Sequence, residues 1–388
     1  MKFLMITEHY SPRIGGITTY VKEFCSYLSK NGHDVTVLVP GENSVNSIIE
    51  KFYNNFILKK IGTGFSLSGN IKPKTRRYFC EQVNSFIDKN IDDFDVVHIL
   101  FGIYSMRYLK ISDYRHKDTI FGVTIHNIPP HECGLSWSND KIFFQIKDLL
   151  RKKIISLLNN YRINYQKFNF YIVPSLTVKK HLASKFNFDN VYVINHGTKL
   201  NLSERKLISD DLNILTVGGF IPHKNQHLIP KISKILKERG INFKWNIVGP
   251  NKHDRYVDFI RKSIIKFKLQ DRVFLNFSVS DKKLKSLYES SNIYVQPSSE
   301  EGFCFTVLEA ALNNTPIIGT DTGAIEEIIN STHGLIVNLD VNEIAKKIIL
   351  FHSNLLDKEI DNKEIISKFN WDKSVENYIS IIDDIRNA

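Results

Sequence analysis

The stretch EEGFCFTVLEA, residues 300–310, sets Glu301 and Glu309 eight positions apart around an apolar run. Two carboxylates placed so could be an acid/base pair of the glycosidase kind, a grip on a ligand at a helix start, or charge on an amphipathic helix. The apolar segments NIYVQP before it and TPIIGT after it read as strands, which makes FTVLEAALNN the crossover helix between them. Glu301 then lies in a loop and Glu309 about two turns into the helix. Over that path the carboxyl groups need not come within the about 5 to 9.5 Å that a glycosidase pair requires. A ligand lying along the helix start is the more natural reading, its two ends held by carboxylates accepting hydroxyl hydrogen bonds and its charged middle facing backbone amides. A nucleotide sugar, with hexose, diphosphate and ribose in a row, has that shape.

Other loops that follow apolar runs carry residues of related chemistry. In EHYSPRIGGITTY, Gly15 and Gly16 open a helix, and tandem glycines let a backbone approach an anion, although a tight turn explains such a pair equally well. In TIHNIPPHE, His126 ends a strand, where it could bond a sugar hydroxyl or carry a proton, or simply be a satisfied structural histidine. His131 and Cys133 follow, but His-x4-His-x-Cys without a fourth ligand matches no zinc spacing. In VGGFIPHKN, Gly218 and Gly219 end a strand and Lys224 precedes a helix, a place that suits an ammonium neutralising a phosphate or a lysine that is merely solvated. In TDTGAIEEI, Glu327 opens a helix below Gly323, where ordinary capping is a sufficient explanation.

The elements that position these residues alternate between short β-rich runs and helical stretches, the pattern of parallel sheets built from βαβ units. One series runs through KFLMIT, DVTVLVP, DVVHIL, TIFGVTIHN, FYIVPS and VYVINHG. A second runs through LNILTVGG, FKWNIVGP, RVFLNF, NIYVQPS, TPIIGT and HGLIVN. The polar segment TKLNLSERKLISDD, residues 198–211, separates them as a linker. An α/β chain of two Rossmann-like, doubly wound domains facing across a cleft is expected, with domains at 1–200 and 201–370 and a closing helix at 371–388. In that helix Trp371, Val375, Tyr378, Ile379 and Ile382 recur at helical spacing.

A length of 388 residues suits two domains. Four cysteines without a CxxC pair argue against a zinc ribbon or disulfide framework and for a reduced, cytoplasmic setting. No apolar run approaches the roughly 18 to 20 residues of a membrane span, so any membrane contact is expected to be peripheral. Residues 1–200 hold 27 Lys and Arg against 16 Asp and Glu, while residues 201–388 hold 25 of each. Such asymmetry points to an anionic partner for the first domain alone. A nucleic acid is one candidate, but no aromatic-studded basic strand or recognition-helix module is present. KIFFQIKDLLRKKIISLL, residues 141–158, could form a basic amphipathic helix at an anionic membrane or an ordinary docked helix.

The segment EEGFCFTVLEAALNNTPIIGTDTGAIEEII resembles the signature of the family-four retaining glycosyltransferases of GT-B architecture, with their Glu, seven residues, Glu motif. SPRIGGITTYVKEFCSYLSKNGHDVTVLVP, DVVHIL, TIHN, INHGT and VGGFIPHKNQHLI resemble further family segments in the same order. The resemblance implies that Glu301 contacts the donor hexose, Glu309 the ribose and Lys224 the diphosphate, assisted by the amides of Phe303, Cys304 and Phe305 and by the loop at Gly16. It also implies that His126 sits beside the reacting carbon, that Glu327 supports the nucleotide end, and that the closing helix returns to the first domain. Two positions depart from the pattern: Gly219 stands where many members have Arg, and Cys304 where they have Gly.

The implied activity is transfer of a hexose or N-acetylhexosamine from a UDP- or GDP-sugar to a glycan acceptor held by the first domain. The acceptor is expected to be linked to a lipid such as undecaprenyl diphosphate, in assembly of a bacterial surface polysaccharide at the inner face of the cell membrane. No cofactor or metal is implied, and no nucleic acid. A sugar-nucleotide epimerase of the same two-domain plan is the alternative.

Overall fold

The computed structural model describes residues 1–10, 15–42, 49–53, 55–63, 73–100, 108–114, 118–126, 168–184, 188–198, 211–332, 334–353 and 363–388. The segment 141–158, His131, Cys133 and nearly all of the 198–211 linker lie outside them. The described residues divide into two compact units. The first takes those up to Gly197 together with Phe369–Ala388, and the second takes Thr198–Lys368.

In the first unit β1 (Lys2–Ile6), β2 (Asp34–Gly41), β3 (Ile49–Tyr53), β4 (Phe56–Gly62), β5 (Val96–Ile99), β6 (Ile120–Thr124), β7 (Phe170–Val173) and β8 (Val191–Val193) form one sheet. Its order is β3-β4-β2-β1-β5-β6-β7-β8. Phe3 to Ile6, all of β5 and all of β6 are buried, as continuous apolar strands covered on both faces must be. Six of the eight strands are those read from the sequence. The other two, β3 and β4, make the antiparallel pair at the sheet edge, where Lys51, Lys59 and Lys60 interrupt the apolar pattern. Charged residues of this kind keep an edge from pairing with another chain, and they hid these strands from a search for apolar runs.

Helices α1 (Gly16–Lys30), α2 (Pro73–Asn90) and α3 (Leu176–Ala183) belong to this unit. In the second unit β9 (Leu212–Val217), β10 (Phe243–Val248), β11 (Val273–Asn276), β12 (Ile293–Gln296), β13 (Ile317–Thr320) and β14 (Gly334–Val337) are all parallel, in the order β11-β10-β9-β12-β13-β14. Around them lie α4 (Ile229–Glu238), α5 (Asp254–Lys266), α6 (Asp281–Glu289), α7 (Phe305–Leu312), α8 (Ile325–Ile329), α9 (Val341–Ser353) and α10 (Lys363–Lys368). The core is set by Trp245, Tyr256, Ile247 and Ile318, each wholly buried.

The last helix, α11 (Trp371–Asn387), packs in the first unit. The Ser374 hydroxyl donates to the Asn195 carbonyl at 2.6 Å, and the Tyr378 hydroxyl lies 2.7 Å from His98 Nδ1 inside the sheet's core. Gly197 is required by this seat, since a Cβ there would lie 2.3 Å from the Trp371 backbone nitrogen.

Candidate active site

The sheet of the second unit changes winding direction at β9, which has β10 on one side and β12 on the other. Ligands of open parallel sheets sit beyond the carboxyl ends of the strands at such a switch. The loop after β9 carries Gly218, Gly219 and Lys224, and the loop after β12 carries Glu301. The Gly218–Gly219 turn lies on Gly249, where a Cβ would be 2.1 Å from the Gly218 carbonyl oxygen. The buried Gln226 amide donates to both the Gly218 and Gly219 carbonyls, at 3.3 and 2.9 Å, and so pins the turn. The Lys224 stem then passes 3.6 Å from where a Gly218 Cβ would be.

Lys224 Nζ reaches Glu301 Oε1 at 2.5 Å, and both side chains are nearly buried. The same oxygen accepts from the Ser298 hydroxyl at 2.7 Å and the Gln296 amide at 3.2 Å. Burial by itself raises the Glu301 carboxyl, but the Lys224 charge and the bonds from Lys224 and Ser298 outweigh it and hold the group below its ordinary value. Lys224 is correspondingly raised, against the opposing effect of its burial. Glu301 Oε2 makes no hydrogen bond among the described residues and is the oxygen available to a ligand.

The turn at Phe303, Cys304 and Phe305 leads into α7. Phe303 and Phe305 meet edge to face at 5.1 Å, and Cys304 caps the helix at φ 70°, in the left-handed region. A Cβ costs about 1 to 2 kcal/mol in that conformation, which explains why glycine suits the position. Cys304→Gly is therefore expected to raise stability by about 0.5 to 1 kcal/mol after the added freedom of the unfolded chain is subtracted. Urea denaturation measures it. Burial, and next the Glu301 charge, push the Cys304 thiol up to about 12, so the residue is inert as a nucleophile.

Glu309, in the second turn of α7, is partly buried and accepts from the Tyr288 hydroxyl at 2.8 Å. Burial lifts its carboxyl from 4.5 to about 7, with the Tyr288 bond acting against the rise. Because the folded value exceeds the unfolded one, the folded state keeps a proton that the unfolded state releases between about pH 4.5 and 7. This group's contribution to stability therefore falls as pH rises through that window. Glu309→Gln is expected to be more stable than the parent above pH 7, by roughly 3 kcal/mol, and nearly equal to it near pH 4.5. Thermal unfolding in a pH series reads the difference, and a gap independent of pH contradicts the assignment.

Glu327 lies in α8, and the Lys368 ammonium donates to its backbone carbonyl at 3.2 Å. The loop before α8 meets the Glu301 loop at Gly323, which has φ +59°.

The remaining candidates are in the first unit. Gly15 and Gly16 are exposed at the start of α1, with nothing within 4 Å of a Cβ built on Gly15. Four residues into α1, Tyr20 sets its ring edge-on to His126 at 4.7 Å. His126 follows β6 and is buried. Burial, then the neighbouring His9 charge, lower it to about 3, while a hydrogen bond to the Leu100 backbone acts in the opposite sense. The ring is thus neutral, and its buried Nε2 has no partner among the described residues. A neutral imidazole with an unused nitrogen can accept a hydroxyl proton in a hydrogen bond, but it does not supply positive charge.

Residues 14–202 match the family Glycosyltransferase Family 4, and residues 199–367 match Glycosyl transferases group 1. The chain belongs to the GT-B glycosyltransferases. An uncharacterized glycosyltransferase of Methanocaldococcus jannaschii is 25% identical to this transferase over 98% of the chain and 97% of the relative. An O-antigen chain mannosyltransferase of Salmonella typhimurium is 27% identical over 56% of each chain. Among solved structures, sucrose-phosphate synthase of Thermosynechococcus elongatus has the same fold, with a TM-score of 0.77 at 16% identity over 99% of this chain and 98% of that one. Anabaena HepE in complex with UDP matches with a TM-score of 0.66 at 13% identity, over 99% and 100%.

The second unit of the transferase gathers Gly218, Lys224, Glu301, Phe303, Cys304, Phe305 and Glu309 around one switch point, while Gly15, Gly16 and His126 belong to the first. Sequence reading missed Gln226, Gln296, Ser298, Tyr288 and Gly249. A signal existed for Gln296, a polar residue closing an otherwise apolar strand. Tyr288 and Gly249 are chosen by contacts with other segments of the chain, and Gln226 and Ser298 by partners within their own loops.

Proposed function

We propose that the chain transfers a hexosyl or N-acetylhexosaminyl group from a nucleotide sugar to a glycan acceptor, with retention of configuration and without a metal. The observation that carries this reading is the buried Lys224–Glu301 pair at the strand switch, directly before a helix that bears Glu309. In it Lys224 and the first amides of α7 hold the diphosphate, Glu301 Oε2 accepts from a hexose hydroxyl, and Glu309 accepts from the ribose. Glu327 supports the nucleotide end. His126 offers Nε2 to a sugar hydroxyl, and the first unit carries the acceptor. The UDP bound by Anabaena HepE supports a nucleotide donor, and the O-antigen mannosyltransferase supports a role in surface polysaccharide assembly.

In the transfer step the bond from the anomeric carbon to the diphosphate oxygen breaks, and the acceptor oxygen bonds that carbon on the same face. The acceptor proton passes to the departing diphosphate. The protein's part is to stabilise that departing charge with preorganised donors in a site poor in water.

The acceptor class in this reading is a saccharide on a lipid diphosphate, presented at the inner face of the membrane. No described helix is long and apolar enough to cross a bilayer, so the contact is peripheral in this account. Incubation of UDP- and GDP-sugars with such an acceptor, followed by mass spectrometry, tests it. An acceptor enlarged by one sugar is expected. A free epimerised sugar nucleotide formed without acceptor would overturn the reading in favour of an epimerase, for which the family matches give no support.

A further inference from the structure

We propose that the Gly219 backbone N–H donates a hydrogen bond to the diphosphate of the nucleotide sugar, and that Gln226 is the residue that positions it. The proposal rests on the nucleotide-sugar reading above and adds two groups to it.

Gln226 is wholly buried, and its Oε1 has no partner among the described residues. Leaving a buried acceptor unpaired is unfavourable, so the side chain is not there to satisfy itself. What it supplies is its amide nitrogen, which donates to the Gly218 and Gly219 carbonyls at 3.3 and 2.9 Å. Both partners are acceptors, so the nitrogen rather than the oxygen must face them. The residue is itself held in place. The next amide along, that of His227, donates to the buried Tyr256 hydroxyl at 3.1 Å, and the Leu228 amide donates to the Asn225 carbonyl at 2.9 Å.

Across a trans peptide the N–H points away from the C=O of the same unit. The Gly218 carbonyl is drawn inward to Gln226 and lies against Gly249, which turns the Gly219 N–H to the opposite side. That N–H makes no hydrogen bond among the described residues, and Gly219 is half-buried rather than covered. The amides on either side of it are used. The Gly218 amide donates to the Val248 carbonyl at 2.8 Å and the Phe220 amide to the Pro250 carbonyl at 3.0 Å. Gly219 thus presents one backbone donor at the carboxyl end of β9, at the switch of the sheet and beside the Lys224 stem. A donor that a buried side chain holds ready needs no reorganisation as the departing diphosphate gains charge. The N–H does not depend on the side chain at 219, so the glycine there does not remove it.

Only Gly16 and Gly219 follow another glycine in this chain. Protein made with glycine that carries carbon-13 at the carbonyl and nitrogen-15 at the amide therefore singles out these two amides by NMR, and a spectrum of unliganded Gly16→Ala tells them apart. UDP, GDP and ADP are first titrated by calorimetry, and the one that binds the parent protein best is used, with its nucleoside as control. The Gly219 amide proton is expected to move downfield with the nucleoside diphosphate and to stay in place with the nucleoside. Gln226→Met, similar in size but without an amide, is expected to bind the diphosphate about tenfold more weakly, to bind the nucleoside as the parent does, and to lose most of the Gly219 shift. Parent affinity together with the parent's Gly219 shift in Gln226→Met would overturn the positioning role. Equal losses for nucleoside and diphosphate would make Gln226 a packing residue and overturn that role too. A diphosphate that binds the parent without moving the Gly219 amide would overturn the proposal while the donor site stands, and this measurement needs no variant at 226. Failure of all three nucleotides to bind the parent would bring down the nucleotide-sugar reading itself.

Discussion

Glu301→Gln is expected to cut glycosyl transfer by about 10²-fold or more and to lower the unfolding free energy by roughly 3 kcal/mol. The reason is the company that Glu301 keeps. Its Oε1 accepts from Lys224, Ser298 and Gln296, and the amide replacing it deprives the nearly buried Lys224 ammonium of the carboxylate it is bonded to. Removing one member of a buried pair costs far more than removing both, because the survivor remains desolvated. Lys224→Met exposes the converse fault, a buried carboxylate held only by Ser298 and Gln296. The double variant Lys224→Met with Glu301→Gln should therefore be more stable than the sum of the single losses predicts, by about 2 kcal/mol. Activity remains lost in all three. Urea unfolding and kcat/KM on the same samples read both effects, and additive stability losses would show that the pair is not coupled.

The pair also sets a direction for pH. The folded-state Glu301 value is depressed, so the stability it contributes is complete above its ordinary value of 4.5 and is lost as pH falls below it. Glu309 works in the opposite direction between about 4.5 and 7. Acid sensitivity should accordingly shrink in Glu301→Gln and persist in Glu309→Gln.

Gly323→Ala is expected to destabilise the second unit by about 3 kcal/mol and to abolish donor binding together with it. At φ +59° an added methyl is strained before it touches anything, by about 1 kcal/mol. It would then stand 2.6 Å from the Glu301 carbonyl oxygen and 2.7 Å from that of Gly302. Neither neighbour is a flexible side-chain end, so the loop that carries Glu301 must move as a body. A nearby control is Gly218→Ala, whose methyl would meet the Lys224 stem at 3.6 Å and the Gln226 amide nitrogen at 3.9 Å, ordinary contacts with side chains, and should cost far less. Thermal unfolding of the two variants compares them, and equal losses would contradict the close approach of the two loops.

What could be seen in the sequence follows from how each signal is carried. All six strands of the second sheet are short, largely apolar runs bounded by turns, as strands of a parallel sheet flanked by helices are. The edge hairpin β3–β4 escaped because Lys51, Lys59 and Lys60 interrupt its apolar pattern. At the site, Glu301 and Lys224 stood out as charged residues in strand-end loops, and Glu309 as a carboxylate in the helix that follows. Gln226, Ser298 and Tyr288 did not, because a neutral polar residue becomes informative only when its partner is known. Gly219 shows the limit most clearly. It reads as a departure in one segment, while the Lys252 stem beside it comes from another segment more than thirty positions on.

Cys304 reads the same way in both views. Its place where glycine is usual becomes, in the structure, a left-handed cap with a buried and unreactive thiol.

The central claim is that the second unit binds a nucleotide sugar between Lys224, Glu301 and Glu309. Thermal-shift measurement with UDP-, GDP- and ADP-sugars tests it most directly, since a ligand at 100 times its Kd stabilises the folded state by about 2.7 kcal/mol. At least one donor should raise the Tm of the parent, and the rise should vanish in Glu309→Ala. No shift with any donor, or the same shift in Glu309→Ala as in the parent, would contradict it.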